Sequence, residues 1–338
     1  MIATYLPELE TLERLIDKGG AHLDVATVCR VDFAGHALPV YSIGIGNRSP
    51  QAPAIGFFGG IHGLERIGTQ VILSFLQSLM ARLRWDHVLH QQLEAVRLIF
   101  MPLVNPGGMW QSTRCNPNGV DLMRNAPVDS LESVPFMLGG QRFSSRLPWY
   151  RGALDAPMEI ESRAVCSVAE RELLSRQFSL AIDCHSGFGL RDRIWFPHAH
   201  TTTPIAHLPD IAAIEDLFHQ SYPNHNYVFE PQSRQYRTHG DLWDYLYLNA
   251  AGERIFLPLT LEMGSWLWVK KNPRQMFSRM GIFNPIAAHR LQRVLRSHTV
   301  LFDFLVRAAA GHARWLPQGA EREAQRARAL ARWYGPQR

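Results

Sequence analysis

Ala54-Ile55-Gly56-Phe57-Phe58-Gly59-Gly60-Ile61-His62-Gly63-Leu64-Glu65 is the stretch around which this chain is organised. Its first half is an uninterrupted apolar run, the pattern of a strand buried on both faces. Gly59 and Gly60 end the run, and His62 and Glu65 come next with two residues between them. The C-terminal end of a buried parallel strand is where open α/β sheets place their sites. Imidazole nitrogen and carboxylate oxygen are both zinc ligands. Alone, the HxxE spacing supports two readings: a ligand pair, or a turn with a polar histidine and a helix-opening glutamate.

The same kind of ending recurs twice downstream. Phe178 to Ile182 runs into Asp183-Cys184-His185-Ser186-Gly187, and Ile255 to Leu261 runs into Glu262-Met263-Gly264. Three predicted strands thus finish in side chains that bind metals or carry protons, each with glycine close behind. Strand ends on one edge of a sheet converge on a shared crevice. Three nitrogen and oxygen ligands with an open position describe a catalytic zinc site, whereas a structural site is closed by four. Alternation along the strand turns Cys184 away from the side that carries His185. Asp183 is either the carboxylate that orients a ligating imidazole or a turn cap.

The remaining elements frame these ends. Residues 6–18 carry Leu6, Leu9, Leu12 and Leu15 at helical spacing, and Gly19-Gly20 stops that helix. Residues 25–31 and 38–45 read as strands joined by a turn at Phe33-Ala34-Gly35. Gly44-Ile45-Gly46-Asn47 reads as a turn, since it lacks the strand–GxGxxG–helix context of a phosphate loop. Helices are expected at 66–83, 159–177, 208–220, 239–249 and 285–310, and further strands at 96–103 and 226–229. Residues 107–157 are rich in Gly, Pro, Ser and Arg with little periodicity, and a loop region that long inside a compact domain is usually functional or an insertion. Alternating helices and strands predict an α/β fold with a mixed sheet covered on both faces. No repeat or linker divides the chain, so residues 1–338 are expected to form one catalytic domain with a basic tail at about 311–338.

Composition excludes little and agrees with this. The chain has 338 residues, 46% hydrophobic and 19% charged, an ordinary balance for a globular protein. The net charge of +5 owes much to Arg314, Arg322, Arg326, Arg328, Arg332 and Arg338 near the C-terminus. Such a cluster is expected to be a solvated helix end, and no nucleic-acid partner is expected. Met1 to Leu15 is acidic and amphipathic, unlike a secretory signal, and no run reaches the roughly 18 apolar residues of a membrane span. Cys29, Cys115, Cys166 and Cys184 are scattered without a CxxC pair, which argues against a cysteine metal site or a disulfide framework. The cytoplasm is therefore the expected compartment, and no membrane partner is expected.

Five short motifs carry a family resemblance. HGLE at 62–65, NPGG at 105–108, RCNPNGVDLMRN at 114–125, DCHSG at 183–187 and LTLEMG at 259–264 stand in one order across residues 54–264. Together they resemble the zinc metallocarboxypeptidases of the carboxypeptidase A type, within the funnelin superfamily. The resemblance implies an eight-stranded, mostly parallel mixed sheet with flanking helices. It implies one zinc ion per chain bound by His62, Glu65 and His185. Glu262 would be the general base, Arg114 would polarise the scissile carbonyl, and Arg124 with Asn125 would meet the substrate carboxylate. Tyr236 matches a mobile substrate-contacting tyrosine in a looser alignment, with Asp244 following; in that register Trp243 falls near the base of the side-chain pocket, which argues against basic substrates. Met123 departs from the family's usual asparagine.

The chemistry of these residue types agrees with those roles. Zinc lowers the pKa of water to about 7, and a nearby carboxylate can move its proton. An arginine aimed at a developing oxyanion stabilises charge that grows in the transition state. A second can hold a carboxylate with two parallel hydrogen bonds. The expected substrate is a peptide or an N-acyl amino acid. A zinc deacylase of the aspartoacylase or succinylglutamate desuccinylase kind is the alternative enzyme, and a non-catalytic binding protein is the third reading. His198, His200 and His207 form a looser cluster, expected to line the cleft.

Overall fold

A computed structural model describes residues 2–250 and 254–336. Arg338, counted above with the basic tail, lies outside them. Eight strands form one sheet: β1 (Asp24–Phe33), β2 (His36–Gly46), β3 (Ala54–Gly59), β4 (Arg97–Met101), β5 (Phe178–Ser186), β6 (Arg193–Phe196), β7 (Val228–Pro231) and β8 (Ile255–Met263). Their spatial order is β1-β2-β4-β3-β5-β8-β6-β7. The four central strands β4, β3, β5 and β8 run parallel to one another. Antiparallel pairs flank them at β1–β2, β2–β4 and β8–β6.

Period-2 alternation divides the core in two. From β3, Ile55 and Phe57 enter one apolar cluster, with helices Arg66–Arg82, Leu208–Ser221 and Ala288–Ala310; Ala54 and Phe58 enter another, with helices Ile160–Ala169 and Leu242–Asn249. In β5, Leu180, Ile182 and Cys184 face the first cluster, so Asp183 and His185 take the opposite side. In β8, Leu257, Leu259 and Leu261 do the same for Thr260 and Glu262. The parallel register sets His185 beside Glu262 and Asp183 beside Thr260. Both polar pairs therefore emerge on one face at the C-terminal edge of the central strands, where β3 also ends.

Two differences from the sequence reading have simple causes. Strand β6 escaped notice because only four residues, opened by Arg193, form it. Gly44 to Gly46 belong to β2 rather than to a separate turn, because Gly44 pairs with Ile99 and Gly46 with Arg97. Arg322, Arg326, Arg328 and Arg332 sit on helix Gly319–Trp333, which packs against helix Leu208–Ser221. Arg322 holds Asp210 bidentately at 2.6 and 2.8 Å, Arg332 reaches Glu215 and Asp216, and Trp333 is buried. Among the described residues no helix is long and apolar enough to cross a membrane.

Candidate active site

The loop after β3 is shaped by close backbone contacts. Gly60 has φ +64°, and a Cβ there would meet the Thr69 hydroxyl at 2.5 Å. A Cβ on Gly63 would lie 2.0 Å from the backbone of Gly108, so the HGLE and NPGG segments touch through their main chains. Asn105 secures that contact. Its Nδ2 donates to the Ile61 carbonyl at 3.1 Å, and its Oδ1 caps helix Pro106–Gln111 by accepting from Gly108 N at 2.8 Å. The NPGG motif thus braces the loop that carries His62 and Glu65.

His62, Glu65 and His185 are buried and gather their ligand atoms within 4.8 Å of one another. His62 Nδ1 lies 3.0 Å from Glu65 Oε1 and 3.2 Å from His185 Nδ1, and His185 Nδ1 lies 3.3 Å from Glu65 Oε2. Ligands about 2.0 Å from a tetrahedral centre are about 3.3 Å apart, so these spacings suit zinc. The outer nitrogens are spoken for: His62 Nε2 faces Asp121 Oδ1 at 3.1 Å, and His185 Nε2 faces Asp183 Oδ2 at 2.6 Å. An imidazole that donates Nε2–H to a carboxylate leaves Nδ1 as a bare acceptor. Two such nitrogens and a carboxylate facing one point repel unless a cation lies between them. The donor set fits one zinc ion, and the carboxylates behind the histidines fix their orientation.

Charge is arranged on the same plan. Burial works against ionised Glu65, but His62 and His185 outweigh it and hold its carboxyl far below the usual range. Burial likewise opposes the charged form of His185, while Asp183 and Glu65 lift its pKa well above the ordinary histidine value. Glu65 Oε2 also accepts from Ser186 N at 2.9 Å. Trp243 donates its indole N–H to Asp183 Oδ2 at 2.8 Å and packs edge-on against Phe58. It therefore stands behind His185 and not at the base of a side-chain pocket, as the sequence register had it.

A cleft of about 240 Å³ opens over this cluster, bordered among others by Arg114, Arg124, Tyr236, Asp241 and Glu262. Burial first, and then the Glu65 charge, push the Glu262 carboxyl up to about 8; its Oε1 accepts from Phe188 N at 3.0 Å. A carboxyl in that range exchanges protons near neutrality. Arg114 donates Nε–H to Asp121 Oδ2 at 2.7 Å and reaches Glu65 Oε1 at 3.4 Å. Asp121 thereby ties Arg114 to His62, and the sequence reading assigned it no role although it lies inside the RCNPNGVDLMRN motif. Arg124 is buried, and among the described residues it joins no ion pair and its Nε has no hydrogen-bond partner. Tyr236 borders the cleft together with Arg124, and its ring packs at right angles to Trp195, with centroids 5.9 Å apart.

Other expected residues lie elsewhere. Asn125 does not border the cleft: its Nδ2 donates to Arg151 O at 3.0 Å and its Oδ1 accepts from Glu159 N at 2.6 Å, so it fastens the long loop instead. Asp244 accepts from Ala199 N and from His200 N and Nδ1. His198 and His200 are buried around that carboxylate, and His207 Nδ1 pairs with the Tyr247 hydroxyl at 2.9 Å; none of the three histidines borders the cleft. Met123 is buried and contributes an apolar wall where a polar helper was usual for the resemblance.

Comparisons with known proteins agree with this geometry. The zinc carboxypeptidase model, peptidase family M14, matches residues 30–264. Carboxypeptidase E of Caenorhabditis elegans is 27% identical over 157 residues, 42% of this chain and 32% of that protein. Carboxypeptidase D of Anas platyrhynchos is 25% identical over 184 residues, 50% of this chain and 12% of that protein. The matches thus span a third or less of these relatives' length. Bovine thrombin-activatable fibrinolysis inhibitor, solved with a tick carboxypeptidase inhibitor, superposes with a TM-score of 0.66 at 17% identity, covering 91% of this chain and 97% of that one. Carboxypeptidase A of Helicoverpa armigera gives 0.64 at 15% identity, covering 90% and 72%. At such identities the two structures speak for the fold alone.

Proposed function

We propose, from the premise that this chain belongs to the zinc carboxypeptidase family and carries its His-Glu-His ligand group, that it removes the C-terminal residue of peptides with a free terminal carboxylate. The observation that carries this reading is Arg124, a buried guanidinium without an ion pair among the described residues, in the same cleft as the ligand group. A buried cation without a counter-charge is costly, and a substrate carboxylate removes that cost. The arginine fork can grip both carboxylate oxygens. Beside Met123 it does so with one helper fewer, and Tyr236 borders the same cleft.

Zinc, when bound, supplies Lewis acidity toward the scissile carbonyl and lowers the pKa of water to about 7. Glu262 is the proton carrier. Burial and then the Glu65 charge raise its pKa, so a cation held by Glu65 would shift it toward the ionised form that accepts a proton. It takes a proton from the attacking water as the new C–O bond forms, and delivers it to the leaving amine as the C–N bond breaks. Arg114, held by Asp121 and Glu65, presents its cation to the oxygen on which negative charge develops. His62, Glu65 and His185 would hold the metal, with Asp121 and Asp183 orienting the two imidazoles. The testing experiment pairs free-acid and amidated peptides with zinc-loaded protein. Cleavage of the acids alone supports the reading. Equal cleavage of both favours an amidase or deacylase that uses the same centre on another end of its substrate.

A further inference from the structure

Between Glu262 and Asp303 the chain carries seven lysines and arginines and no aspartate or glutamate. This stretch leaves the end of β8 and folds as helix Trp266–Lys271, a short turn at Pro273–Phe277, helix Arg279–Phe283 and the first half of helix Ala288–Ala310. Buried Gln275 knits these pieces into one lobe. Its Nε2 donates to Gly281 O at 2.8 Å and to Asn284 O at 3.1 Å, and its Oε1 accepts from Arg290 at 3.4 Å. Arg290 also donates to Trp268 O at 3.1 Å and to Lys271 O at 3.3 Å, which ties the two outer helices together. Ile286 packs onto the same turn, where a Cβ on Gly281 would stand 3.0 Å from its Cδ1. A pocket at the edge of the lobe joins Leu267, Lys271 and Arg293 to Leu190, Arg191 and Asp192 in the loop before β6.

The surface of this lobe combines two features. Lys270, Lys271, Arg274, Arg279, Arg293 and Arg296 are exposed, and among the described residues no ion pair includes them. The arginines of helix Gly319–Trp333 differ, since Arg322 and Arg332 meet acidic partners. Large apolar side chains stand in solvent between these cations. Phe277 is 93% exposed and Met276 62%, and Trp266, Leu267 and Ile286 are exposed as well. A symmetric contact with a second copy would set the cations against their own kind. Single-stranded nucleic acid is held by stacking on aromatic rings, and Leu267, Met276 and Ile286 have no ring to offer. Basic residues interleaved with aromatic and aliphatic tips match the boundary between anionic headgroups and acyl chains. We infer that this lobe docks peripherally on a bilayer leaflet rich in anionic lipid, its apolar tips entering the acyl boundary and its lysines and arginines meeting the headgroups. The expectation of no membrane partner is thereby reversed for a surface contact, without a span. The lobe also shapes the cleft: Phe283 borders it, and Trp266 donates its indole N–H to the carbonyl of Gly187, another cleft residue, at 2.9 Å. Docking therefore brings the cleft close to the leaflet and to peptides tethered there, whatever bond the cleft cleaves.

The test is cosedimentation of the full chain with phosphatidylcholine vesicles that contain or lack phosphatidylglycerol. Wild type should bind the anionic vesicles and not the neutral ones, and less so as salt rises. The triple variant Lys270→Gln/Lys271→Gln/Arg274→Gln should bind the anionic vesicles more weakly by about tenfold or more, the scale of removing several basic residues near an anionic surface. The double variant Met276→Ser/Phe277→Ser should lose about tenfold through the apolar area it no longer buries. Melting temperatures close to wild type in both variants, whose altered side chains are exposed, tie the losses to the surface. Equal binding to the two vesicle types, no binding to either, or anionic binding that survives both sets of substitutions overturns the inference. A single-stranded oligonucleotide bound more tightly than anionic vesicles also overturns it and assigns the surface to nucleic acid. A wild-type dimer in light scattering that Met276→Ser/Phe277→Ser dissolves overturns it in favour of a second copy.

Discussion

The two ends of the cleft handle buried charge in opposite ways. At the metal end, each outer histidine nitrogen meets a carboxylate, and Glu65 is shared between two imidazoles and Ser186 N. Among the groups at that end, the inward lone pairs and Asp183 Oδ1, on the carboxylate behind His185, lack a partner. At the substrate end, Arg124 and Asp241 each keep a buried polar atom without one. The first arrangement suits a small ion that binds once and stays. The second suits a ligand that comes and goes, because the unsatisfied groups lose their cost only while it is bound. Breaking either end should leave a different signature.

The largest expected effect belongs to the residue between the two ends. Glu262→Gln should keep zinc and fold but lose about a thousandfold in kcat, within the range for a removed general base. Near-normal turnover with full zinc content would remove Glu262 from the chemistry. Arg124→Ala should come next, raising KM for free-acid peptides by about 2–3 kcal/mol, the worth of hydrogen bonds to a charged group. Amidated analogues should not respond. Asp183→Asn acts on the metal end alone. Chelator competition should show zinc affinity weakened by about tenfold, as for other outer partners of ligating histidines, with the substrate KM little changed.

The smallest effect concerns stability without metal. The fold raises the Glu262 carboxyl from the ordinary 4.5 to about 8. Between those values the native state keeps a proton that the unfolded chain releases, so stability falls as pH rises through that window, and the full penalty applies above it. Metal-free Glu262→Gln should therefore melt higher than wild type by a few degrees. The gain should be larger at about pH 9 than at about pH 5. Equal gains at both pH values would mean that Glu262 is not held up by its neighbours.

Much of the metal end was legible in the sequence because it is built from strand ends. A buried strand announces itself as an apolar run, and the residues at or just past its C-terminal end sit at the sheet edge, as His62, His185 and Glu262 do. The supporting partners were not legible. Asp121 lies 59 residues from His62, and Trp243 lies 60 from Asp183, so only the folded chain brings them together. At the substrate end, neighbours in sequence point different ways. Arg124 borders the cleft while Asn125 fastens a loop, and Asp241 borders it while Trp243 and Asp244 serve other partners. Short turns lack the fixed alternation of a strand, so motif position alone could not tell these residues apart. The basic tail was misleading for a related reason: its charge is visible in sequence, but its acidic partners Asp210, Glu215 and Asp216 lie a hundred or so residues earlier.

The central claim is that this cleft releases one residue from a free carboxyl end. Mass spectrometry of a peptide incubated with zinc-loaded protein, beside its C-terminal amide, tests it directly. The account predicts a product shorter by one residue from the acid, no change in the amide, and no reaction from either after chelation. An internal cut, or equal loss from the amide, would contradict it.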